Sequence, residues 1–159
     1  MVLRLGYPIS NVSIIQNKDY VQTIVSDTNE EIEVHLTIYV GRKDPQTVYQ
    51  MAHEAVHCLF PTARMDTTYL EEGLAIEYAL NTVGRIDRNY AERCRNGLIS
   101  PWIEAYVAYQ KLRPSAANIR SLRKATPYID QVTIKQIETY LNASTEVASE
   151  LHRRLPKTR

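Results

Sequence analysis

The 159-residue chain has only two cysteines, Cys58 and Cys94. A disulfide-stapled scaffold needs several pairs, so that class is excluded. The single pair could form a disulfide, but in a chain without a secretion signal it reads more readily as two reduced thiols, with Cys58 as small core packing. An excess of charge is also missing: 19 Lys+Arg against 18 Asp+Glu leaves a formal net charge of +1. Nothing in that balance favours nucleic acid or an acidic membrane as the main partner. No apolar run approaches the ~20 residues that span a bilayer. Residues 1–10 lack an apolar signal core and a cleavage site, so a cytoplasmic location is expected. No internal repeat, low-complexity tract or linker interrupts the chain, and a single domain over 1–159 is expected. Asn11-Val12-Ser13 and Asn142-Ala143-Ser144 match the glycosylation sequon. Matches this short arise by chance and carry no weight without secretion.

The stretch that carries chemistry is His53-Glu54-Ala55-Val56-His57. Two histidines four apart lie one helical turn apart on the same face, so both imidazoles can point at one metal ion. Glu54 is about 100° further round the helix. It sits outside the ligand pair but within reach of a water held on the metal, as a hydrolytic zinc site needs. The surroundings suit a helix. Asp44-Pro45 supplies an N-cap and an N1 proline, Val48, Ala52, Ala55 and Leu59 recur at helical spacing, and Pro61 stops the run.

A catalytic zinc site usually has three protein ligands and leaves one position for water. The metzincin pattern H-E-x-x-H-x-x-G-x-x-H is excluded, because Phe60 stands at its glycine and Ala63 at its third histidine. Further on, Tyr69-Leu70-Glu71-Glu72-Gly73-Leu74-Ala75 resembles the W-L-N-E-G-x-A segment of gluzincin metallopeptidases, the aminopeptidase-N-like and minigluzincin group. The resemblance covers the two motifs and their helices, about a quarter of the chain. It implies that His53, His57 and Glu72 are ligands of Zn2+ and that Glu54 is the general base. Fourteen residues separate His57 from Glu72, fewer than in aminopeptidase N, and no G-x-M-E-N segment is present to anchor a substrate's free amine.

Glu71 and Glu77 are the other carboxylates near this position. Glu71 completes a capping box with Thr68. Glu77 lies roughly 140° round the helix from Glu72 and reads as a solvated surface charge. Glu72 stands directly before the glycine, as in the family pattern.

The expected fold class is α+β, zincin-like. It has a small N-terminal antiparallel β-sheet over about 1–43, packed on the active-site helix, and a mostly helical remainder over about 44–159. Residues 12–16 and 20–25 read as strands around the turn-forming Asn17-Lys18-Asp19, and Asp27-Thr28-Asn29-Glu30 reads as a second turn. Ile32, Val34, Leu36, Ile38 and Val40 then alternate with polar positions, which puts His35 on an exposed polar face. The resemblance implies that an edge strand of this sheet pairs with an extended substrate.

The helix of Glu72 should end at Gly84, and a short one should follow from Asp87 to Gly97. Ser100-Pro101 should open a helix with Trp102, Ala105, Tyr106, Tyr109 and Leu112 as its stripe, ended by Pro114. Three short helices are expected after it, over 115–125, from the cap Thr133 with Gln136, and over 145–155. The basic tail of Arg153, Arg154, Lys157 and Arg159 reads as cations at a helix C-terminus.

The implied activity is peptide-bond hydrolysis on a peptide or protein substrate, with no nucleic acid or membrane partner. Glu54 would take a proton from the zinc-held water and pass it to the leaving amine. Tyr106, Tyr109, Tyr128, Tyr140 and His152 are candidate oxyanion donors. Other readings are a catalytically silent zinc-binding interaction domain and a zinc hydrolase of a non-peptide amide or ester.

Overall fold

Val34 and Leu36 are buried in β3 (Glu31–Leu36), while Glu33 is exposed. The two-residue period of the sequence accounts for Val34 and Leu36 sharing a buried face. The computed structural model describes residues 11–16, 22–25, 31–36, 44–59, 66–126 and 128–155. Among them β3 is the middle of a three-stranded sheet, in the order β1 (Asn11–Gln16), β3, β2 (Gln22–Val25).

The sheet expected to be antiparallel is mixed. β2 pairs with β3 antiparallel, Gln22 opposite His35 and Val25 opposite Ile32. β1 pairs with β3 in parallel, from Asn11 opposite Glu31 to Gln16 opposite Leu36. Turn-forming residues signal that the chain reverses, but not which neighbour the strand then takes. The expected turns at 17–19 and 27–30, the continuation of β3 over 37–40, Phe60, Pro61 and Ala63 lie outside the described residues. His35, expected to be exposed, is buried, and its Nε2 lies 3.1 Å from Glu33 Oε2. With a strand along each edge of β3, its middle residues are sheltered from both sides.

The helices begin where their caps predict. Asp44 accepts the Thr47 N–H at 2.9 Å and starts α1 (Pro45–Leu59). Thr68 Oγ1 accepts the Glu71 N–H at 3.2 Å and starts α2 (Tyr69–Gly84). Asp87 caps α3 (Arg88–Asn96) through the Tyr90 N–H, and Gly97 closes it. α4 (Trp102–Leu112) buries Ala105, Tyr106, Ala108 and Tyr109. Ser115 caps α5 (Ala116–Ala125), and Thr133 with Gln136 forms the expected capping box of α6 (Ile134–Leu141). Each such cap satisfies backbone N–H groups that have no partner inside the helix.

α7 (Thr145–His152) stops three residues short of the expected end. Residues 153–155 turn extended instead and run antiparallel to the entry of α2. The Tyr69 N–H donates to the Arg153 carbonyl at 2.8 Å, and the Leu155 N–H donates to the Thr67 carbonyl at 2.9 Å. The arginines expected to serve the end of α7 therefore act elsewhere. Arg154 Nη1 donates to the Asp66 carbonyl at 3.0 Å and lies 3.4 Å from its carboxylate, and the Arg153 guanidinium lies over the Tyr69 ring. Lys157 and Arg159 fall outside the described residues.

The chain divides into two compact units, 1–63 with 78–97 and 64–77 with 98–159, and the division passes through α2. In the first, α1 packs on β3 and β2. In the second, α5 packs on α6, and α7 on both α6 and α4. Among the described residues, no helix is long and apolar enough to cross a membrane.

Candidate metal centre

His53 and His57 fall on one side of α1, as their spacing requires, with their Nε2 atoms 3.1 Å apart. Two nitrogen ligands each about 2.0–2.1 Å from a tetrahedral zinc lie about 3.4 Å from one another. The imidazole pair is thus close to the separation that one ion would impose. Around it the face of α1 differs from the expected apolar stripe. Ala52, Val56, Thr47 and Glu54 are buried, whereas Ala55 is exposed beside Met51 and Val48 is only half-buried. The histidines and Glu54 belong to the inward side. Apolar periodicity alone misplaces that side, because polar residues occupy much of it.

Glu54, the expected base, is 3 % exposed. A carboxylate in that setting is costly unless its charge is compensated. Glu72, in the first turn of α2, is 4 % exposed, and its Oε2 accepts the Thr67 hydroxyl at 3.2 Å. The three expected ligands come together: one atom from each of His53, His57 and Glu72 lies within 4.8 Å of the other two. Two imidazoles and one carboxylate are a donor set that zinc takes in catalytic sites. The residues present therefore fit the metal.

The other carboxylates separate by environment. Glu71 is buried, with its backbone N–H on the Thr68 cap. Glu77, expected as a solvated charge, is half-buried and held from α4: the Tyr106 hydroxyl donates to its Oε2 at 3.0 Å and the Gln110 amide at 2.6 Å. The helix angle was a sound guide to its separation from Glu72, but it says nothing of what the neighbouring helix supplies there.

Among the candidate oxyanion donors, Tyr106 is buried and bonded to Glu77. Tyr109 is buried, and burial first and then the Glu77 charge push its phenol up to about 12. Tyr128 and Tyr140 are half-buried, and His152 is exposed. His152 is not a member of the three-residue cluster of ligand atoms. Cys58 and Cys94 are not joined in a disulfide, and both are half-buried.

Gly73, the residue after Glu72, has a packing reason that sequence reading missed. A Cβ there would fall 2.4 Å from Tyr109 Cβ and 2.8 Å from the Ala105 carbonyl oxygen. A glycine inside a helix costs about 1 kcal/mol against alanine. That cost was the available signal of a close backbone approach. Thr67 was also missed, since a hydroxyl one residue before an N-cap has no local signature as a partner for Glu72.

No family model, curated protein or solved structure matches the chain.

Proposed function

We propose that this chain is a zinc-dependent metallopeptidase of gluzincin type, with a zincin-like fold and a cytoplasmic location, acting on a peptide or protein substrate. The observation that carries the reading is the convergence of His53, His57 and Glu72 on one small volume. The H-E-x-x-H and E-G-x-A segments support it, since they place a base beside the ligands. Zinc, when bound, supplies a Lewis acid that lowers the pKa of its water from about 15.7 to about 7 and polarises a carbonyl. His53 and His57 would hold the ion through ring nitrogens, and Glu72 through its carboxylate. Glu54 takes the proton of the attacking water and delivers it to the leaving amine, a base that becomes an acid within one turnover. Burial of Glu54 keeps bulk water from competing for that proton.

The test is zinc content per chain in wild type and in Glu72→Ala, prepared without chelator or added metal. About one zinc in wild type and a clear loss in the variant is expected. Equal zinc in both would remove Glu72 from the ligand set. No zinc in either, even after adding it back, would overturn the hydrolase reading.

A further inference from the structure

The Thr67 hydroxyl donates to Oε2 of Glu72 at 3.2 Å. Thr67 is itself held from the far end of the chain, because its carbonyl accepts the Leu155 N–H at 2.9 Å. On one side Asp66 is tied to Arg154 through both its carbonyl and its carboxylate. On the other, the Tyr69 N–H is tied to the Arg153 carbonyl. Residues 153–155 thus hold 66–69, the segment that delivers the chain into α2.

We propose that Thr67 is a positioning residue for the metal ligand Glu72, and that residues 153–155 act through it as a strap. The inference rests on the metal-centre reading above and deepens it. A carboxylate offers two oxygens and about four lone-pair sites, so it can accept from a hydroxyl and still bind a cation. Ligating carboxylates are commonly oriented by such hydrogen bonds, and loss of the partner costs 10–100-fold in metal affinity. A threonine ahead of a helix would hold this geometry poorly if its backbone were loose. The strap supplies the missing rigidity from about ninety residues away in sequence.

The experiment measures zinc affinity by competition with a chromophoric chelator, alongside the thermal midpoint of the metal-free protein. Thr67→Val removes the hydroxyl at nearly constant shape and should weaken zinc binding 10–100-fold, more than the modest fall of the metal-free midpoint expected from one lost hydrogen bond. Thr67→Ser restores the hydroxyl and should return the affinity to within a few-fold of wild type. Leu155→Pro removes the N–H that holds the Thr67 carbonyl and should weaken zinc in the same direction. The double variant should lose little more than Thr67→Val alone, because both act on one interaction. Wild-type affinity in Thr67→Val overturns the role of Thr67 while leaving the metal centre standing. Fully additive losses in the double variant overturn the strap. A wild-type chain that binds no zinc removes the underlying reading instead, so the failures are distinct.

Discussion

Gly73 and Tyr109 approach so closely that a single added carbon would fall 2.4 Å from the Tyr109 Cβ. Real Cβ atoms do not come that near one another, so either the backbone or Tyr109 would have to move. The Ala105 carbonyl oxygen, 2.8 Å from the same point, closes the other way out. Glu72 precedes this contact by one residue, so whatever shifts α2 here shifts the carboxylate too.

Gly73→Ala is therefore expected to destabilise the protein. Alanine favours a helix over glycine by about 1 kcal/mol. Overpacking against backbone and a Cβ costs about 1–3 kcal/mol, and at 2.4 Å the clash wins. Urea denaturation should show a lower midpoint, with zinc content reduced in the same variant. A higher midpoint would mean that the helix relaxes away from Tyr109 at little cost.

Glu54→Gln keeps shape and removes the carboxylate proposed as the base. Zinc content is expected to stay at the wild-type level while cleavage of unstructured polypeptides falls by about 10²–10⁴-fold, the usual contribution of a positioned acid–base group. Undiminished cleavage by the variant would rule out the assigned role of Glu54.

Glu77 holds α2 through two side chains of α4, so its loss should be felt in stability and not at the metal. Tyr106→Phe removes one donor and leaves Gln110 in place, which sets the expected cost at about 1–2 kcal/mol. Zinc content should not change. A Tyr106→Phe variant that lost zinc would instead tie this tyrosine to the centre.

Tyr109 and Tyr90 both have phenols pushed up to about 12 from an ordinary value of 10.0. Burial is the first cause for each, followed by the Glu77 charge for Tyr109 and Cys94 for Tyr90. Raised folded values mean that the unfolded chain loses these protons first. Their contribution to stability is complete below pH 10 and is lost as pH rises through about 12. Thermal midpoints measured across that window should fall, and Tyr109→Phe should fall less steeply. A variant with the wild-type slope would show that Tyr109 is not among the groups responsible.

The helix starts were legible in the sequence because capping is a local matter. Asp44, Thr68, Asp87, Ser115 and Thr133 each bond a backbone N–H three residues on, and three residues of sequence are enough to see it. The His53–His57 pair was legible for the same reason, since four residues on a helix fix both side chains to one face. Other features depended on residues distant in the chain. β1 lies beside β3 and not β2, Glu77 is met by Tyr106 and Gln110, and α7 gives way to an extended segment that bonds Thr67 and Tyr69. His35 reads as exposed until the strands beside β3 are known.

By itself, the sequence determined where α1 begins and that His53 and His57 share one face of it. Only the tertiary structure decided that Thr67 lies on the Glu72 carboxylate and Gly73 against Tyr109. The physical reason is range. Backbone geometry fixes side-chain directions over one or two turns, whereas contacts between segments far apart in the chain depend on packing and hydrogen bonds that no local pattern encodes.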